Sequence, residues 1–336
     1  METWRYAYGP QSSNRICHTQ EAILYYYYRH VHPAAADSRA FQTQVSSTES
    51  LNAIVPVIHM PAITIPLEIK ETILELLAED DEGHLALKTC SLVCQAFLPI
   101  CRKHIFDSIV LNQPFDHNAK SPPTSPSHAF ERLLRETPEI ADYIRKLDYN
   151  ILATDLTSSP IQESLKRISR LEFFSVRHHN WRGLNWSDNP IRPTLLHLLH
   201  LPTLTHFKMA RINDFVVSDL IPCVNLEYLD IFDNYTAAGV AAETTFHAAL
   251  PEHSIQLREF VARPRVRTST IITSLYSARR PDGQPIIDFG FLSKITITLD
   301  HLNEGEALME LLRRCHSLTN ANLSCRRYLH RDHKNF

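Results

Sequence analysis

Residues 226–231 read LEYLDI: Leu226, Leu229 and Ile231 are apolar, with Glu227, Tyr228 and Asp230 between them. Apolar residues at positions 1, 4 and 6 of such a unit describe a short strand. Positions 4 and 6 point to one face because side chains alternate along a strand, and position 1 packs at the turn before it. The pattern returns as IRKLDY (Ile144–Tyr149), ISRLEF (Ile168–Phe173), LTHFKM (Leu204–Met209) and LSKITI (Leu292–Ile297). Weaker copies are LREFVA (Leu257–Ala262) and LTNANL (Leu318–Leu323). The fourth positions are 147, 171, 207, 229, 260, 295 and 321, separated by 24, 36, 22, 31, 35 and 26 residues.

Helix patterns lie between the copies. Leu195, Leu196, Leu198 and Leu199 stand between Pro193 and Pro202, and Leu308, Leu311, Leu312 and Cys315 precede the last copy. A strand and a helix per unit, repeated, give an α/β solenoid: a curved parallel sheet lined by helices. Leucine-rich repeats run about 20–29 residues around an LxxLxL core. Three of the spacings fall in that range and the longer ones require insertions. The irregular spacing leaves a generic α/β domain with apolar strands as the alternative.

Outward from the repeats towards the N-terminus, Phe130, Leu133 and Leu134 sit at helical spacing, with Ser127 placed to cap the helix and Pro138 to end it. Residues 128–336 therefore read as one repeat domain. Residues 112–127, with four prolines among Ser, Asn and His, read as a linker. Before it, residues 61–111 form a distinct unit. Ile69, Ile73, Leu74, Leu76 and Leu77 follow a helical period after Pro66, a residue suited to the start of a helix. The run Glu79–Gly83 breaks that helix. Two further apolar segments come next, one with Leu85, Leu87, Cys90, Leu92 and Val93, the other with Phe97, Leu98, Ile100, Cys101, Ile105 and Phe106. Three short helices in under about fifty residues bury too little surface to cover all these groups, so a partner or the rest of the chain is expected to cover the surplus.

This unit resembles an F-box, in the form common among fungal F-box proteins. The resemblance rests on Ile65-Pro66-Leu67-Glu68-Ile69, on Cys90-Ser91-Leu92-Val93-Cys94, and on Phe97-Leu98-Pro99 with His104-Ile105-Phe106. The segment Phe130–Leu147 and the stretches Leu201–Phe207 and Ile287–Ile295 are similar to the region C-terminal to the F-box in such proteins, so the resemblance spans about residues 63–325. It implies that residues 63–106 bind the adaptor Skp1 of a cullin-RING ubiquitin ligase through Ile65, Pro66, Leu67, Ile69, Ile73, Leu92, Val93, Phe97 and Leu98. It implies further that the repeat domain holds a protein substrate. The other reading is an F-box and repeat scaffold that binds proteins without ubiquitin transfer.

Composition narrows the remaining classes. The 336 residues carry a formal net charge of −3, which gives no global field towards nucleic acid or membrane, so neither partner is expected. The 7 glycines leave little from which to build a phosphate cradle. The 7 cysteines form no C-x-x-C pair, which favours a reduced compartment and a cytoplasmic or nuclear location. No signal peptide or membrane span is expected. Residues 1–60 read as a disordered tail. Their run Tyr25–Tyr28 offers aromatic faces for stacking on bases, but only Arg29 and His30 adjoin it.

Three clusters bear on chemistry. Cys90, Cys94, Cys101 and His104 have the spacing C-x3-C-x6-C-x2-H, but they lie among helix-forming apolar residues, where cysteine serves as a small apolar group. His178-His179 lack a third ligand. Arg263, Arg265, Arg267, Arg279 and Arg280 form a basic segment that suits an acidic or phosphorylated motif. Trp181, Trp186 and Arg263, Arg265 and Arg267 are the candidate substrate-binding residues, because Trp and Arg are frequent interface anchors; the alternative for each is a packing or solvated role. No metal, cofactor or enzymatic activity is expected, since no nucleophile, phosphate-loop or dinucleotide motif occurs.

Overall fold

The computed structural model describes residues 65–80, 83–93, 95–112, 125–180, 183–232, 250–263, 268–299 and 304–325. The described residues divide into two compact units, 65–105 and 106–325.

The first unit is helical: α1 (Leu67–Glu79), α2 (Gly83–Val93) and α3 (Leu98–Ile105). Pro66 stands at the N-cap of α1, where its missing N–H costs nothing, and its carbonyl accepts the Lys70 N–H at 3.2 Å. Gly83 turns the chain into α2 so tightly that a Cβ there would collide with the Leu77 carbonyl. The small core holds Leu74, Leu87, Ile100, Cys101 and Ile105.

The second unit is built on eight parallel strands: β1 (Ser108–Leu111), β2 (Lys146–Ile151), β3 (Phe173–His178), β5 (His206–Ala210), β7 (Tyr228–Phe232), β9 (Glu259–Arg263), β11 (Lys294–Leu299) and β12 (Asn320–Cys325). They lie side by side in chain order, so every connection winds the same way and the sheet grows like a solenoid. Helices α4 (Pro126–Glu136), α5 (Ser159–Leu165), α6 (Arg192–Leu199), α7 (Thr268–Ser277) and α8 (Gly305–Arg313) run between strands. Two-residue parallel pairs, β4 (Leu184–Asn185) with β6 (Ile212–Asn213) and β8 (Ile255–Gln256) with β10 (Ile287–Asp288), tie adjacent connections together.

Register explains the repeat. The fourth-position residues Ile109, Leu147, Phe174, Phe207, Leu229, Phe260, Ile295 and Ala321 are successive Cα partners across the sheet. From Ile109 to Ile295 they are buried, as are the sixth positions Leu111, Tyr149, Val176, Met209, Ile231, Ala262 and Ile297. First positions Phe106, Ile144, Leu171, Leu204, Leu226, Leu257 and Leu292 fill the turns beneath. In the last unit both columns emerge: every residue of β12 is exposed.

Three boundaries differ from those read in the sequence. Ser108–Leu111 belongs to the sheet rather than to the helical unit, because Ile109 and Leu111 pair with Leu147 and Tyr149. In the second strand of the repeat pattern Phe174 and Val176, not Leu171 and Phe173, take the fourth and sixth positions, so Phe173 faces the opposite side. Helix α4 begins at Pro126 after Ser125, inside the segment read as linker, and Ser127 does not cap it. Its hydroxyl instead donates to buried Asp155, which also accepts the Tyr149 hydroxyl, each at 3.0 Å.

The core column sets a test. Phe207 is fully buried and stacks on Phe174 at 5.7 Å. Phe207→Ala should cost about 3–5 kcal/mol of stability by urea unfolding. Leu323→Ala, on the exposed last strand, should stay within about 0.5 kcal/mol. Equal losses would mean that the last strand is packed like the others.

Candidate functional site

The helical unit carries an apolar surface it does not bury. Ile65, Leu67, Ile69, Ile73, Leu76, Leu85 and Leu92 are exposed, seven of the eleven large apolar residues exposed among the described residues. Ile69, Ile73 and Leu76 stand at i, i+4 and i+7 and line one face of α1, while Leu74 is the buried residue of that helix. Pro66 is exposed beside them, and Phe97 and Leu98 are half-buried, with the Lys70 ammonium 5.8 Å from the Phe97 ring. So many exposed apolar side chains on so small a unit mark an interaction surface.

The cysteines sit differently. Cys101 is fully buried on α3, and burial pushes its thiol up to about 11. A thiol held protonated in an apolar core is a poor metal ligand or nucleophile. Cys90 is half-buried on α2, and Cys94 lies outside the described residues. Among the described residues no three His, Cys, Asp or Glu side chains converge as a metal site. His178, at the end of β3, is buried, and burial lowers its pKa.

In the second unit the informative surface is the face of the sheet opposite the core, formed by positions 3, 5 and 7 of each strand. Phe173, His206 and Tyr228 are Cα partners in succession along the third-position row. His206 stacks on Tyr228 with ring centroids 5.4 Å apart and lies 6.3 Å from Phe173. In the next row, the Lys208 ammonium lies 5.2 Å from the Phe173 ring and 5.3 Å from the Tyr228 ring. Its row neighbour Asp230 is buried, pairs with Arg263 at 2.7 Å and accepts the Tyr228 hydroxyl at 3.3 Å. Burial and the Asp230 carboxylate push the Tyr228 hydroxyl upward, so it remains a donor. Towards the N-terminal side of the sheet, Asp148 accepts from Ser175 and Arg177, each at 3.1 Å. Arg263 lies over the Phe232 ring at 5.7 Å.

The residues expected to bind substrate fall in several places. Trp186 is not a surface anchor. It is 1% exposed, packs on Phe215 at 5.1 Å, and its indole N–H donates to buried Asp219 at 2.6 Å. Arg192 completes that carboxylate at 2.8 Å. Arg263 is exposed on the sheet face with its charge paired to Asp230. Arg280 is buried, donates to the Pro251 carbonyl and pairs with Asp282 at 2.9 Å, so it is structural. Arg279 is exposed and donates to the Tyr276 and Ala278 carbonyls. Trp181, Arg265 and Arg267 lie outside the described residues. Lys208, Phe173, His206 and Tyr228 carry no local signal in the sequence. Their proximity depends on register, which a one-dimensional pattern shows only once each strand is aligned.

A groove of about 920 Å³ runs along the rim where the strands begin, lined by Glu172, Thr205, Glu227 and Arg258 among others. Arg258 pairs with Glu227 across it at 3.5 Å. Its hydroxyls, on Thr203, Thr205 and Ser293, donate to the Leu171, Glu172 and Arg258 carbonyls. No helix among the described residues is long and apolar enough to cross a membrane. Comparison with known proteins finds no matching family model and no matching curated protein.

The Trp186 assignment is open to measurement. Trp186→Phe keeps an aromatic side chain but leaves the buried Asp219 carboxylate short of one donor, a loss of about 1.5–3 kcal/mol. The variant should melt lower by several degrees while its far-ultraviolet dichroism is unchanged. An unaltered melting temperature would place the indole outside the core.

Proposed function

We propose that this chain is a non-catalytic substrate receptor of an SCF-type ubiquitin ligase, in which the helical unit docks on Skp1 and the solenoid-like sheet unit holds a protein substrate. The observation that carries this reading is the exposed apolar surface of the helical unit, to which Leu67, Ile69, Ile73 and Leu92 contribute. Those are residues through which the F-box resemblance implies adaptor contact. Burying such a patch against a partner removes the surplus apolar surface that three short helices leave open.

The second unit suits the receptor role for a separate reason. Its strands repeat with a leucine-rich-repeat-like pattern, and a solenoid presents one broad, rigid sheet face lined by alternating side chains. The chemistry of transfer would belong to other subunits. Holding a substrate beside a charged conjugating enzyme turns a bimolecular encounter into an effectively intramolecular one. The chain need then supply only two binding surfaces.

The double change Pro66→Ala with Leu67→Ala tests the adaptor surface. Both side chains are exposed, so the change should leave the melting temperature nearly unaltered. Loss of a large apolar anchor costs an interface about 2 kcal/mol or more, so co-purification of Skp1 should fall below detection. Full recovery of Skp1 with the folded variant would refute adaptor docking through this patch. Recovery of Skp1 by the unaltered chain without any cullin would favour a scaffold that works outside a ligase.

A further inference from the structure

We infer that the row Phe173–His206–Tyr228, with Lys208 lying across it, is a docking strip for an extended acidic segment of a partner protein. This rests on the receptor reading above and gives its substrate surface a chemistry.

The pairing of charges on the open face singles out Lys208. Lys146 pairs with Asp107, Arg177 with Asp148, Arg263 with Asp230 and Lys294 with Glu259. Lys208 has no carboxylate within ion-pair distance among the described residues. Its Cα partner Asp230 is directed to Arg263 and Tyr228 instead. The Lys208 ammonium is held between two aromatic rings at 5.2 and 5.3 Å. Ring faces attract the cation without neutralising it, so it keeps capacity for an anion. Phe173, Lys208 and Tyr228 are half-buried, and a charge-assisted bond made at Lys208 is screened less than one at an open surface.

A second observation is the order of the rings. Phe173, His206 and Tyr228 are Cα partners across three adjacent strands, so an extended segment laid along the row meets them in turn. The carboxylate of an Asp or Glu side chain meets Lys208, while Asp230, one strand away, is buried and neutralised by Arg263. Apolar neighbours on the segment lie against Phe173 and Tyr228. Side chains two residues apart on an extended chain are about 7 Å apart, and three adjacent strands span about 10 Å. Three or four residues of the segment therefore cover the strip.

The test is selection of random twelve-residue peptides, displayed on phage, on the immobilised full chain, followed by binding measurements on synthetic copies of the selected sequences. The expected result is enrichment of Asp or Glu next to an aromatic or aliphatic residue. Lys208→Met should weaken those synthetic peptides by about tenfold or more, and Lys208→Glu should turn the selection towards Lys and Arg. Lys208→Met keeps the apolar stem between the rings, so it should melt within a few degrees of the parent, and Skp1 recovery should be unchanged in both variants. Selection without acidic bias, acidic peptides that bind Lys208→Glu undiminished, or no selection at all would overturn the inference. Acidic selection by a chain that recovers no Skp1 would separate the strip from the ligase reading and leave the strip standing.

Discussion

One hydrogen-bonding step, repeated, holds the larger unit together. Just before each strand a backbone carbonyl accepts two successive N–H groups from the start of the next strand. The Asp107 carbonyl takes Arg145 and Lys146, Arg145 takes Glu172 and Phe173, and Glu172 takes Thr205 and His206. Thr205, Glu227, Arg258 and Ser293 continue the series, with every distance between 2.7 and 3.0 Å. This step pins each strand to the same starting register. Every apolar column, and every row on the opposite face, depends on it. A slip of one residue would turn the buried columns to solvent, which no unit can bear once Phe174, Phe207 and Phe260 are packed.

The same constraint makes the two faces unequal. One face is filled by aliphatic and aromatic columns and by the helices that cross between strands. The other is lined by charges and rings that answer each other across strands: Arg177 on Asp148, Arg263 on Asp230, and Lys208 between Phe173 and Tyr228. Cross-strand pairs of this kind stabilise the sheet modestly and give its surface a defined chemistry. The helical unit is the reverse case. With few buried groups around Leu74, Leu87 and Cys101, it leaves Ile69, Ile73 and Leu76 facing outward on one helix face.

Much of this was legible in the chain. The apolar residues at positions 1, 4 and 6 located six of the eight long strands in register, and the helical periods located α1 to α3, α4, α6 and α8. The failures have physical causes. Ile168–Phe173 satisfies the pattern as well as Leu171–Val176 does, and only pairing with Leu147 and Phe207 decides between them. Phe106–Leu111 fits the pattern too, but its continuity with the apolar run of α3 hid a strand. Trp186 stands in a loop, which suggested exposure, whereas Asp219, distant in sequence, draws it inward. The strip around Lys208 joins residues from three strands, so no local stretch of sequence announces it.

If the two units divide the work as proposed, hydrogen–deuterium exchange of the full chain with purified Skp1 should slow across residues 65–98 and stay unchanged in strands β2 to β11. Exchange across residues 65–98 that Skp1 leaves unslowed, or protection of the open sheet face instead, would refute adaptor docking through the helical unit.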